Sequence, residues 1–213
     1  MPQAEVILDN FHAVADMARG ASLLIRLLII SLAGLFIMRG KIISPLLAAL
    51  AGALCVAAAM ISVVFEDRQN LVIFALLFTV GLFWGREALT MPLETRPGRI
   101  HILLAGLAAL WGLFYPQFVQ GVAGPVLFAP VGLIPSPTLM VASAATIAAG
   151  RSFTLYAVVP TWIASAVFGI AGVFYLGVGV DWVLVAVVPV SIVAYFTSAV
   201  PAQARRKRPR RVR

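Results

Sequence analysis

Four hydroxyl side chains, Ser136, Thr138, Ser143 and Thr146, follow one another through a stretch that has almost no other polar chemistry. On a helical wheel Thr138, Ser143 and Thr146 share an arc of about 140°. With Ser136 and the indole of Trp162 they form the candidate substrate-lining set. Hydroxyls and an indole N–H recognise a small uncharged solute by hydrogen bonding and perform no covalent step. The same run is small on every face, from Ala142 through Ala149 to Gly150, as suits a helix that its neighbours approach closely. Serine and threonine in such helices also bond back to their own carbonyls. Lining and close packing both remain open.

Charge offers a second candidate. Arg26 lies about one turn into the first apolar segment, and Asp181 falls at the same end of the protein, so the two make a candidate buried ion pair, with Glu66 as the alternative acid. Arg86 and Glu87 fall at the end of the third apolar segment, where neighbouring charges sit in the interface. At the N-terminus Asp9, His12 and Asp16 are one helical turn apart, a spacing at which carboxylate and imidazole can share a metal ion. With no second histidine nearby and no cysteine, a solvated acidic face is the simpler reading, and no metal site is predicted.

Absences narrow the chemistry further. Cys55 is the one cysteine, so there is no internal disulfide and no thiolate cage. The two histidines, His12 and His101, fall on opposite sides of the membrane, which argues against a bis-histidine haem. Lys41 and Lys207 are the lysines, both at cytoplasmic positions, which leaves no retinal Schiff base. No phosphate-binding loop and no Ser/His/Asp set can be assembled. The sequence predicts neither an enzyme nor a cofactor.

These residues are carried by a chain of 213 residues that is 62% hydrophobic and 11% charged. Its mean hydropathy is +1.03. So little polar surface cannot coat a soluble globule, and the chain reads as an integral membrane protein. A crossing needs roughly 20 apolar residues. Segments 22–38, 43–65, 70–88, 100–119, 153–176 and 182–200 approach or meet that, and 137–150 is a short seventh. Ser44-Pro45, Ser136-Pro137 and Asp181 supply plausible N-caps.

Basic residues set the orientation. Arg39, Lys41, Arg86, Arg96, Arg99, Arg151 and the seven basic residues of the tail fall on one side, against Arg19, Arg26 and Arg68 on the other. Basic loops resist translocation, so the C-terminus is cytoplasmic and the N-terminus outside. The tail, 204–213, carries seven of the 16 lysines and arginines. It fits contact with anionic lipid, and the absence of interleaved aromatic residues argues against nucleic acid. Residues 1–20 read as an interfacial amphipathic helix with Ile7, Phe11, Val14 and Ala18 on its apolar face and no secretory leader.

Between Tyr115 and Thr138 the chain carries Pro116, Pro125, Pro130, Pro135 and Pro137 among Gly121, Gly124 and Gly132. No regular helix survives that density of breakers, yet the stretch is too apolar for an exposed loop. Irregular backbone at membrane depth is tolerated only where protein or a water-filled cavity satisfies its polar groups. A capping or re-entrant loop on the outer end of the bundle is the expectation. The helix after it, at about 1.5 Å per residue, reaches only about 21 Å and must start below the surface, with unpaired N–H groups facing inward. Pro160 and Pro189 should kink the sixth and seventh helices, and Ser165, Gly169 and Gly172 should let the sixth approach the fifth.

The order "YP", "FAPVGLIPSPT", a small-residue helix, "VVPTWIASAVFG" and "GVDWVLVAV" resembles the DUF6064 family of bacterial multipass membrane proteins, most specifically over residues 114–188. The family pattern has a Pro-Cys-Pro-Thr element where this chain has Ser136, which speaks against a thiol-dependent role. The resemblance implies the architecture and carries no activity with it.

The sequence therefore predicts an all-α, polytopic bundle of about seven crossings over residues 21–203, in a bacterial inner membrane. Two functions stay open. One is a small transporter or permease-like protein for a small uncharged solute. The other is a non-catalytic subunit of a larger membrane complex, or a homo-oligomer, that uses the loop and small-residue helices as contacts.

Overall fold

A computed structural model describes residues 9, 12–13, 19–39, 44–64, 68–90, 98–115 and 131–198. The described part is all-helical. Seven α-helices whose bounds fall among the described residues follow one another: α1 (Arg19–Arg39), α2 (Ser44–Val64), α3 (Arg68–Thr90), α4 (Arg99–Leu113), α5 (Pro135–Ala149), α6 (Leu155–Phe174) and α7 (Trp182–Thr197). Short 3₁₀ turns, Gly150–Ser152 and Gly179–Asp181, precede α6 and α7. Among the described residues, four spans are long and apolar enough to cross a membrane: Pro45–Val63, Leu71–Thr90, Leu155–Phe174 and Gly179–Thr197. Leu23–Gly34 and Arg99–Leu113 are shorter apolar helices. The chain is thus built as a membrane protein, with Leu24, Leu71, Leu103, Leu107 and Val193 turned outward, as lipid-facing side chains are.

The basic tail, the loop 116–130 and most of the N-terminal segment lie outside the described residues. Asp9, His12 and Ala13 are helical, but Asp16 falls outside, so the three-residue spacing has no geometry to test it.

The interior is built by close approach of small residues. α2 and α3 meet at Gly52 and Gly81, where a Cβ on Gly52 would stand 3.0 Å from the Gly81 carbonyl oxygen. A Cβ on Gly112 of α4 would come within 2.9 Å of the Pro137 carbonyl of α5. Backbones this close gain dispersion contacts that larger side chains would prevent, the main attraction available between helices in lipid.

α5 is the centre of the bundle. Every residue from Pro135 to Ile147 is buried, against α4 on one side and α2, α6 and α7 on the others. Its alanines explain how one helix can be enclosed on all faces. Its length, 15 residues or about 22 Å, falls short of the hydrocarbon thickness.

The buried start of α5 differs from expectation in a useful way. The helix begins at Pro135, with Ile134 as its N-cap, two residues before the predicted start. Prolines then occupy positions 135 and 137 of the first turn, and proline has no N–H to leave unpaired. The predicted inward-facing crown of N–H groups is therefore largely removed by the residues themselves. Before it, Gly132 takes the left-handed conformation at φ 79° that favours glycine. The Gly132 N–H donates to the Thr138 hydroxyl at 2.8 Å, and that hydroxyl donates to the Ile134 carbonyl at 2.6 Å. One threonine thus ties the buried turn to the helix it precedes.

Candidate functional site

At the end of the bundle where α5 and α7 begin, three segments converge on one carboxylate. Asp181 is 2% exposed. The Tyr115 hydroxyl donates to its Oδ1, and the Ser136 hydroxyl donates to Oδ2 at 3.2 Å. Tyr115 stands just beyond α4, where Pro116 follows and disfavours continued helix. Ser136 sits in the first turn of α5. A fourth element closes the site, because Gly172 in the last turn of α6 leaves room that a Cβ would take from the carboxylate.

Asp181 is the N-cap of α7 by position, yet its side chain makes no capping bond. The preceding 3₁₀ turn gives it helical backbone, φ −70° and ψ −10°, rather than the extended geometry from which a cap side chain reaches back to the first turn. The carboxylate turns into the bundle instead. Ser136 likewise does not cap α5 but bonds Asp181 across the helix ends.

The expected partner of Asp181, Arg26, is also buried. Its guanidinium carbon lies 4.8 Å over the Phe114 ring, the residue before Tyr115. Two hydroxyls hold the acid, and an aromatic face lies under the cation, a favourable contact in a desolvated setting.

A second buried acid lies at the opposite end. Glu87 is 1% exposed, accepting the Thr154 N–H at 3.1 Å and the Thr154 hydroxyl. Thr154 is the N-cap of α6, so a carboxylate from α3 caps the start of α6, where the helix dipole favours negative charge. The sequence reading placed Glu87 in the interface. Consecutive residues point about 100° apart on a helix, and here Arg86 takes the exposed face, over the Tyr156 ring at 5.2 Å, while Glu87 takes the inner one.

The remaining hydroxyls are occupied within the bundle. Ser143 of α5 meets Ser165 of α6 at 3.2 Å. Thr146 donates back to the Ala142 carbonyl at 3.2 Å. Gly169 and Gly172 face α7, since a Cβ on Gly169 would come within 2.8 Å of Val185, so only Ser165 of the predicted stripe serves the contact with α5. Trp84 donates from its indole to Thr161 at 2.8 Å. Trp162 lies edge-on to Tyr195 at 5.8 Å, and its buried indole N–H has no hydrogen-bond partner among the described residues.

The structure therefore joins two residues from separate candidate sets, Ser136 and Asp181, adds Tyr115 and Thr154, which the sequence does not single out, and gives new places to Gly172, expected to face the fifth helix, and Glu87, expected in the interface. The fragments "YP", "SP" and "GVD" held the signal, since a polar side chain at each of three apolar helix ends on one side of a membrane needs partners there. Among the described residues no group of three metal-ligating side chains forms. Compared with known protein families, with curated proteins and with solved structures, the chain finds no match.

Proposed function

We propose that this chain is a seven-crossing protein of a bacterial inner membrane, N-terminus outside and C-terminus cytoplasmic, that acts as a small transporter or permease for a small uncharged solute. One observation carries the reading: a helix too short to cross starts inside the bundle, and at its start a buried carboxylate is held by hydroxyls from two other segments. Acidic side chains are costly at membrane depth and mark pathways where they persist. Hydroxyls and a carboxylate together offer both donors and acceptors to a polyol or amide. The test is stopped-flow light scattering of proteoliposomes challenged with glycerol, urea and xylitol. Re-swelling faster than in protein-free vesicles for at least one solute is expected, and equal rates for all three would remove the reading.

A second reading, a subunit or assembly partner of a larger membrane complex, is favoured by the way Thr138, Ser143 and Thr146 are all taken up by internal bonds. Native mass spectrometry of gently extracted protein separates the two. Stoichiometric partner chains support the complex; a lone or homo-oligomeric species with a retained small molecule supports transport.

A further inference from the structure

We propose that Asp181, Tyr115 and Ser136 form a proton-binding site, and, resting on the transporter reading, that the proton is the ion coupled to solute movement. The cluster has the three properties such a site needs: an acid removed from water, too little room and too few ligands among the described residues for a metal ion, and neighbours that can follow the proton.

Burial comes first. Asp181, Tyr115 and Ser136 are all buried, at the joint outer ends of α4, α5, α6 and α7. The groups facing the carboxyl are, from α4, the Tyr115 hydroxyl; from α5, the Ser136 hydroxyl; and from α6, the bare backbone of Gly172. From α1 the charged group at this end is Arg26, placed over the Phe114 ring. Among the described residues, hydroxyls and backbone form the wall.

Size and ligand count then choose the ion. Gly172 fits against the carboxylate so closely that even a methyl group would overlap it, and its own carbonyl already accepts the Val178 N–H at 2.8 Å. A calcium ion takes 6–8 oxygen ligands and magnesium needs six in near-ideal geometry. Among the described residues the cluster offers one carboxyl and two hydroxyls in a packed space, too few for either. A proton needs one lone pair.

The neighbours suit both states. Tyrosine and serine hydroxyls each donate one hydrogen and accept others. With the carboxylate ionised, both donate to it, as observed. When a hydronium ion from the outer phase delivers its proton to an Asp181 oxygen, an O–H bond forms there and a water molecule is left. One hydroxyl then rotates to accept that hydrogen while the other continues to donate. Release to a water molecule reverses each step. Heavy atoms keep their places, but two charge-assisted bonds become neutral ones of roughly half the strength. Those bonds join the outer ends of α4 and α5 to α7, so protonation loosens the end where a solute would enter.

The test is pH-difference infrared spectroscopy on the full chain in liposomes of phosphatidylethanolamine and phosphatidylglycerol, with no solute present. Acidification should produce the carbonyl band of a buried protonated carboxyl. That band should vanish in Asp181→Asn, persist in Glu87→Gln, and change frequency in Tyr115→Phe, which removes a hydrogen-bond partner without removing the acid. A difference spectrum unaltered by Asp181→Asn overturns the site. Should Asp181→Asn fail to fold, Tyr115→Phe decides alone, because a band it does not move cannot come from Asp181. The infrared band and vesicle swelling are independent readouts: losing the first removes the proton site and leaves solute permeation standing, and losing the second does the reverse.

Discussion

Gly172 of α6 has no side chain in the place where Asp181 of α7 puts its carboxylate: a Cβ on the glycine would overlap Oδ2 and stand 2.9 Å from the aspartate Cβ. The acid thus keeps its inward position because its neighbour is a glycine. Gly172→Ala should force Asp181 or α6 to shift. Overpacking of a tight core costs about 1–3 kcal/mol, read as a lower midpoint in denaturant titration of the detergent-solubilised protein. Gly106→Ala in α4, where nothing lies within 4 Å of the added Cβ, is the matched control and should be neutral or slightly stabilising through helix propensity. Equal midpoints for the two variants would mean that the joint between α6 and α7 is looser than described.

The three hydroxyls of α5 should separate by what each satisfies. Thr138→Val strands the buried Gly132 N–H, and an unsatisfied buried donor costs about 1–3 kcal/mol. Ser143→Ala removes one inter-helix bond to Ser165, for which about 0.6 kcal/mol is typical within membranes. Thr146→Val loses only a bond to its own helix and should be close to neutral. Unfolding midpoints should therefore fall in the order Thr138→Val lowest, then Ser143→Ala, then Thr146→Val. Loss of solute permeation by Thr146→Val at unchanged stability would contradict this packing role and restore a lining one.

Glu87 at the other end is a cap supplied by one helix to another. Glu87→Ala leaves the Thr154 N–H and hydroxyl without their acceptor, at a cost of about 1–3 kcal/mol. Glu87→Gln keeps an acceptor oxygen and should lose less. In a double-mutant cycle with Thr154→Val the coupling should be at least about 0.5 kcal/mol, the lower range for residues in contact. Additive effects would show that the two side chains do not hold each other.

Much of the helix pattern could be read directly, because apolar runs bounded by charge or proline determine where a helix can lie in a membrane. α2 lies within one residue of its expected span at each end, and α6 within two. The end of α4 and the start of α5 were misplaced for one reason, since Tyr115 and Pro135 border the proline-rich stretch, where local signals favour several stopping points. Asp181 reads in the sequence both as a helix cap and as half of a buried pair, and the choice between the two was not legible. A capping aspartate and a buried one have the same sequence context, and what separates them is a 3₁₀ turn together with a glycine nine residues earlier on another helix. Glu87 was hidden differently: an Arg-Glu pair at a helix end reads as interfacial, and only the rotation of α3 decides which of the two faces inward.

Orientation gives the last prediction. Cys55 is fully buried and should be silent to a membrane-impermeant maleimide, so single cysteines can be introduced into the natural chain. Thr90, at the end of α3, and Tyr175, just beyond α6, are both exposed. The Glu87–Thr154 contact puts the end of α3 beside the start of α6, so Thr90 and Tyr175 are separated by the 20 residues of α6, about 30 Å of helix. With basic residues retained inside, Tyr175→Cys should react in intact cells and Thr90→Cys only after permeabilisation. The reverse pattern would invert the protein and put the Asp181 cluster at the cytoplasmic face, so that any coupled proton would enter from inside. Labelling of both in intact cells would mean that α6 does not cross.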